Sequence, residues 1–263
     1  MSKFGIRISC LAVLVGGLAA TARADISMNF DDPVVTSGTQ APGVWYTDRY
    51  APAGFTSPVL FAGDNRLQQT ISGAAHQSTA FYNTQGYKYD LQPNTTSMSI
   101  QLYVPQAWAA GDAGVTTRYA GFWGTGVDST ASVSAYPIVE FANVNGTGEF
   151  RLYDSNTGLW TDTTLPGAGG YDQFYTLGIA LQGSNIDYSI NGSVVGSYDS
   201  NGTVALSNVI LQGYNAGQDY SFYWDNFHAS NTAVPEPASI ISAVVGLAGV
   251  GIIGLRRGRK SAA

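Results

Sequence analysis

Hydrophobic and polar residues alternate in short runs along most of this chain, and Gly, Asn, Asp and Ser separate the runs. That is the pattern of antiparallel strands, not of amphipathic helices. The clearest case is 138–153, where Asn145-Gly146 supplies a two-residue turn because both residues tolerate positive φ. The turn sets the register. Phe141 faces Phe150 and Val139 faces Leu152 on an apolar face, while Glu140 faces Arg151 and Ala142 faces Glu149 on a polar one. A second hairpin turns at Asn191-Gly192, between runs at 186–190 and 193–198. Before it Tyr175, Leu177, Ile179 and Leu181 alternate with polar or small residues. After it come 204–212 and 220–228, where Tyr220, Phe222 and Trp224 share a face. The N-terminal half is less regular, with strands read at 27–30, 66–71, 80–82 and 97–104. No repeat and no linker interrupts the pattern before Ala233, which predicts one all-β domain over 25–233, an antiparallel β-sandwich.

The two ends break the pattern. Lys3 and Arg7 precede an apolar run at 8–20, and Ala22-Arg23-Ala24 forms a small-x-small cleavage site before Asp25, so 1–24 reads as a signal peptide. The run is 13 residues long, short for a membrane span. At the other end Val234-Pro235-Glu236-Pro237 is stiff and extended, because each proline fixes its own φ and restrains the residue before it. Eighteen uncharged residues follow at 238–255. As a helix they reach about 27 Å, enough for one transmembrane helix. Arg256, Arg257, Arg259 and Lys260 then close the chain, and such a basic cluster stays cytoplasmic.

Pro235-Glu236-Pro237, an apolar span and the Arg256-Arg257 cluster, in that order, resemble the PEP-CTERM sorting signal of Gram-negative bacteria, here over 234–263. The resemblance implies an exosortase as processing partner and an inner-membrane-anchored intermediate with a periplasmic ectodomain. Cleavage near Pro-Glu-Pro would then release the ectodomain to the cell surface or beyond it. The family is associated with exopolysaccharide and biofilm production. The same residues also fit a plain C-terminal anchor.

Of 263 residues, 11% are charged and 44% hydrophobic, too apolar for a disordered tail and too sparsely charged for a long surface helix. Cys10 is the only cysteine and lies in the signal, so the mature chain must be stabilised without disulfides. Five of the twelve Lys and Arg and seventeen of the eighteen Asp and Glu fall between residues 25 and 234, a net charge of about −12. A nucleic-acid partner is not expected of such a composition. A surface of this charge is expected to repel anionic polymers, or to reach them only through bridging cations.

The runs 175–181 and 186–192, together with Tyr223-Trp224-Asp225-Asn226-Phe227, resemble concanavalin A-like (laminin G-type) jelly rolls. The resemblance implies that fold and, by analogy, a sugar ligand. Catalytic residues are harder to find. Glu140 and Glu149 lie diagonally on one polar face, yet Glu140 opposite Arg151 reads as a cross-strand ion pair. The Glu-x-Asp-x-x-Glu run of jelly-roll glycosidases is missing. His76 and His228 read as surface residues, and no Gly-x-Ser-x-Gly elbow occurs. Three carboxylates, Asp31, Asp32 and Asp225, stand near the two ends of the domain; Asp31-Asp32-Pro33 reads first as a plain turn and Asp225 as bonded to backbone, with a structural calcium ion held by the three as the alternative. The run 154–158 reads as a hairpin turn. Trp123 and Trp160, in Gly-rich surroundings, are the preferred platforms for a sugar ring, against the usual place of tryptophan in a core. These readings lead to a non-enzymatic, exported, polysaccharide-associated or carbohydrate-binding protein. The alternatives are a secreted glycan hydrolase or lyase of jelly-roll fold, and a purely structural or adhesive surface protein.

Overall fold

In the computed structural model, residues 25–163 and 170–231 are described. The expected signal peptide with Ala22 and Ala24, and the expected sorting segment with Pro235, Glu236, Pro237, Arg256 and Arg257, lie outside the described residues. Among the described residues no helix is long and apolar enough to cross a membrane.

The strands, in chain order, begin with β1 (Ile26–Met28), β2 (Thr36–Ser37), β3 (Trp45–Thr47), β4 (Gly54–Phe61), β5 (Asp64–Ile71) and β6 (Thr84–Asp90). Then come β7 (Ser97–Val104), β8 (Thr116–Val127), β9 (Val133–Ala135), β10 (Ile138–Val144), β11 (Thr147–Asp154) and β12 (Leu159–Asp162). The last are β13 (Gln173–Gln182), β14 (Asn185–Ile190), β15 (Ser193–Asp199), β16 (Ala205–Tyr214) and β17 (Tyr220–Ser230). They form two sheets. The first runs β15-β14-β13-β7-β17-β5-β4, with β1 added beside β17. The second runs β12-β11-β10-β8-β16-β6-β3-β2, with β9 beside β8. Every pair is antiparallel except the short β2–β3 contact. The all-β sandwich read from the alternation is therefore present.

The β10–β11 register follows from its turn. Asn145 and Gly146 take φ of 52° and 88°, and Phe141 pairs with Phe150, Val139 with Leu152 and Glu140 with Arg151. The four apolar members of this hairpin are fully buried between the sheets, with Phe141 and Phe150 meeting edge to face at 5.2 Å. Each such side chain contributes about 1.5–3 kcal/mol through the water it leaves. Phe222 and Trp224 of β17 and Ile100 and Leu102 of β7 close the same core from the first sheet. Buried polar links also cross it, among them one at Gln69. Gln69 accepts from Trp224 Nε1 at 3.1 Å and donates to the Gln85 carbonyl at 3.0 Å, joining β17 and β5 to β6 of the opposite sheet.

Two expectations change. Residues 80–82 are not a strand but part of the helical turn Ala80–Asn83. The reason is local: the Asn83 amide accepts from the Gln77 N–H at 2.7 Å and donates to the Gln77 carbonyl at 2.9 Å, which closes the segment on itself. Phe81 and Tyr82 then project outward, about half exposed. The strands β4, β6 and β8, which the alternation does not announce, complete both sheets.

Removing a ring from the centre of the sandwich leaves a cavity that the flanking sheets cannot close. Phe141→Ala is expected to cost about 3–5 kcal/mol, read as a lower midpoint in urea unfolding with an unchanged slope.

Candidate functional site

The pleat that buries Phe122, Phe141, Leu152 and Leu211 turns the intervening residues of the second sheet outward. Strand register lines them up in rows across the sheet. One row runs Trp160, Tyr153, Ile138, Trp123, Ile210, Lys88, Tyr46, from β12 to β3. The next runs Asp162, Arg151, Glu140, Gly121, Gln212, Gly86. Outer-face residues normally meet water, but here Trp123, Ile138 and Ile210 are buried and form a second apolar cluster with Tyr153 and Trp160. The outer face of this sheet is therefore partly covered, in the manner of a trough.

Its floor is shaped by the second row. Gly121 has no room for a side chain, since a Cβ there would lie 2.6 Å from both Gln212 Nε2 and Trp123 Nε1. A Cβ on Gly86 would lie 2.3 Å from the Leu211 carbonyl oxygen. Between these glycines the polar groups crowd together.

Glu140 is 1% exposed and accepts from two guanidinium groups. Arg118 donates through Nε at 3.2 Å and Nη2 at 3.2 Å, and Arg151 through Nε at 2.7 Å and Nη2 at 2.6 Å. Both guanidinium groups also lie over rings, Arg151 above Trp160 at 4.2 Å and Arg118 above Tyr214 at 4.8 Å. A buried carboxylate tied this way is a strut that holds two arginines in place, not a free base. A second cluster lies along the first row. Asp48 receives Lys88 at 3.0 Å and Arg49 at 3.6 Å, and the Arg49 guanidinium lies between the rings of Trp123 and Phe81, 4.7 Å from each. An open hollow of about 440 Å³ lies here, lined by Asp48, Arg49, Phe81, Tyr82, Lys88, Tyr136 and Ile210.

Burial leaves several polar atoms on this face without partners. Trp123 Nε1, Thr125 Oγ1, Asn208 Oδ1 and Gln212 Oε1 are all buried and unbonded, four of the six such side-chain atoms found among the described residues. Native proteins satisfy buried donors and acceptors, with ordered water where no protein group reaches them, so these atoms mark polar groups enclosed beneath the face and not groups open to a ligand. Of the acids, Glu149 is partly buried at the β11 side. Burial, and then the Asp162 carboxylate, push its carboxyl above the usual range against the pull of Arg151. Asp162 itself is exposed.

Of the two tryptophans expected as platforms, Trp160 is half-buried at one end of this face, whereas Trp123, in the middle, is buried beneath the Arg49 guanidinium and offers no open ring. Trp45 and Trp108, by contrast, are core. Arg49, Lys88, Arg118 and Gln212 were not among the candidates, and the one available signal was how few cations the domain has. The expected calcium ligands do not assemble. β1 pairs with β17, so the two ends do meet. Asp225, however, is bound by the Arg66 guanidinium and by the Asn226 N–H at 2.7 Å. Asp31 accepts from Asn65 Nδ2 at 3.0 Å, and the Asp32 carbonyl from Ser57 at 2.6 Å. A guanidinium supplies the positive charge that calcium was expected to bring, and among the described residues no group of three His, Cys, Asp or Glu can hold a metal. A hollow of about 240 Å³ near Asp32, lined by Phe30, Trp45 and Tyr89, has no comparable charged cluster. His76 and His228 are exposed, and 154–158 is the expected hairpin turn, with the Asp154 carboxylate accepting from Asn156 and Thr157.

No protein-family model and no curated protein matches the chain. Solved structures do. A mutant of SCLam, a non-specific endo-β-1,3(4)-glucanase from family GH16 co-crystallised with 1,3-β-D-cellotriosyl-glucose, matches with a TM-score of 0.52 at 12% identity, covering 80% of this chain and 95% of its own. SCLam itself matches at 0.50 and 12%, covering 78% and 89%. An endo-1,3-β-glucanase catalytic domain from Thermotoga petrophila RKU-1 matches at 0.49 and 10%, covering 78% and 95%. At this identity the likeness shows the fold alone, a jelly-roll-like sandwich. The neighbours are nonetheless enzymes, and the expectation of a non-enzyme is corrected on that finding: a chain without the usual glycosidase run folds as glycanases fold.

If Glu140 is a strut, Glu140→Gln leaves two guanidinium groups facing each other and costs about 3 kcal/mol, measured by urea unfolding. Glu149 behaves differently. Its raised folded value means the fold holds this proton more tightly than the unfolded chain does. Its stabilising contribution is therefore full below the ordinary glutamate range and is lost as pH rises through the folded value. Asp162→Asn is expected to lower the Glu149 titration, followed by carboxyl carbon NMR.

Proposed function

We propose that this is an exported carbohydrate-active enzyme that cleaves an extended glycan lying along the outer face of its second sheet. The observation that carries the reading is the pair of half-buried rings Trp160 and Tyr153 on that face, beside the carboxyl groups of Glu149 and Asp162. A hydroxyl-rich ring suits this place, since its apolar face stacks on Trp160 and Tyr153 while its hydroxyls meet the neighbouring carboxyl groups. Cleavage of a glycosidic bond calls for a protonated acid beside a second carboxyl group. Glu149, pushed up by burial and by Asp162, is the acid of the pair, and Asp162 is its partner. Glu140 is excluded from that role because both of its oxygens are occupied by arginines.

Export rests on the sequence: the signal at 1–24 and the Pro-Glu-Pro, span and arginines at 234–263 fit an exosortase substrate held first in the inner membrane. A tag on the final residues, followed by cell fractionation, should be found in the membrane and be lost as the ectodomain appears outside. A tag in the soluble cytoplasm would end that part of the reading.

The enzymatic part is tested by incubating the protein with a panel of neutral and acidic polysaccharides and measuring new chain ends. Release that disappears in Glu149→Gln while binding persists supports it. Trp160→Ala should weaken binding about tenfold, roughly 1.4 kcal/mol, by affinity electrophoresis. Binding with no release from any polysaccharide would overturn the assignment of Glu149, and no binding at all would overturn the whole reading.

A further inference from the structure

The five cations between residues 25 and 234 are not spread over the domain. Arg49, Lys88, Arg118 and Arg151 all lie on the outer face of the second sheet; the fifth, Arg66, is bound to Asp64 and Asp225 on the other sheet. On the second sheet the four cations are arranged as two trios, each of two cations and one shared carboxylate. Asp48 lies between Arg49 and Lys88, and Glu140 between Arg118 and Arg151. Each trio carries a net positive charge in a domain of about −12. The other acids on the face, Glu149 and Asp162, lie toward β12, and Asp90 lies at the rim, where Tyr46 and Gln40 bond to it.

The Asp48 trio is the one open to a ligand. Arg49 has its nearest anionic oxygen 3.6 Å away, beyond a good hydrogen bond, and its charge is held instead between two rings. Its guanidinium and the Lys88 ammonium border the same hollow of about 440 Å³. A guanidinium with an unfilled fork beside a second cation suits a planar carboxylate or a sulfate oxygen pair, and the exposed rings of Phe81, Tyr82 and Tyr136 that line the hollow suit one borne on a sugar ring.

We propose that the glycan this face accepts is acidic, and that the hollow between Arg49 and Lys88 binds its anionic substituent, a uronate carboxylate or a sulfate ester. This inference rests on the reading of the face as a glycan cleft. It also changes the expectation drawn from net charge: the repulsive acids lie mainly elsewhere, so an anionic chain needs no bridging cation to reach this face.

The experiment is affinity electrophoresis of the full domain in gels containing polygalacturonate or alginate, chondroitin sulfate, and the neutral polymers β-glucan and xylan, with single-stranded DNA as a further polyanion. Tighter retardation by an acidic than by every neutral polysaccharide, by tenfold or more, supports the proposal; preference for the uronans or for the sulfated polymer says which substituent the hollow takes. Lys88→Gln should remove most of that preference and leave retardation by neutral polymers unchanged. Asp48 keeps Arg49 as a partner in this variant, and its thermal unfolding checks the fold. Equal or tighter binding of a neutral polysaccharide overturns the acidic assignment but leaves the glycan cleft standing. DNA bound more tightly than any glycan overturns it too, and retardation by no polymer removes both readings together.

Discussion

A carboxylate almost wholly removed from water has to be neutralised where it stands, and Glu140 is that carboxylate. Its two guanidinium partners come from β8 and β11, the strands on either side of β10. The ion cluster therefore ties three adjacent strands together on the face opposite the hydrophobic core. It also places Arg151 over Trp160 and Arg118 over Tyr214. What looks in sequence like an ordinary surface ion pair is thus the structural origin of a rigid aromatic and cationic face.

Burial on that face has a cost that the rest of the molecule offsets. The chain has no disulfide, so both the core and the unpartnered polar atoms of the trough must be supported by sheet-on-sheet contacts alone. The large fully buried side chains Phe122, Phe141, Phe150, Phe222 and Trp224 meet at the middle of the sandwich, beneath the rows that contain Trp123 and Glu140. Side chains mounted on central strands over such a core move little, so the groups on this face keep a fixed spacing.

How much of this could be read beforehand depended on how local the information was. The 138–153 hairpin was legible to the residue because one Asn-Gly turn and sixteen residues of alternation determine it, and Glu140 opposite Arg151 came with it. Strand β8 was not, although it is central. Gly121, Gly124 and Gly126 break its alternation and resemble turn residues, whereas each is required by a neighbour that leaves no space for a Cβ: Gln212 and Trp123, Met98, and Thr203. Since β8 contributes Arg118 and Trp123, missing it meant missing the second guanidinium on Glu140. Arg49 comes from the turn after β3 and Phe81 from the helical turn at Ala80–Asn83, so their meeting over Trp123 is a product of tertiary structure with no trace in either segment. The three carboxylates read as a cation site do not gather, for a related reason. The two ends did come together, but Arg66, forty residues from the first strand, reached Asp225.

Net charge is the property that sequence states most plainly and places least well. Of seventeen acids in the domain, the five on or beside the second sheet's outer face are Asp48, Asp90, Glu140, Glu149 and Asp162, and that face also has four of the five cations. The remaining twelve acids share one cation between them. A polymer approaching from a distance feels the sum, yet within a screening length of about 8–10 Å it feels the local arrangement. At that range the face divides again. Toward β12 the acids Glu149 and Asp162 prevail, while around Trp123 the two trios do. An anionic group brought to this face is therefore attracted around the two trios and repelled toward β12, so one sheet face presents two electrostatic environments to whatever meets it.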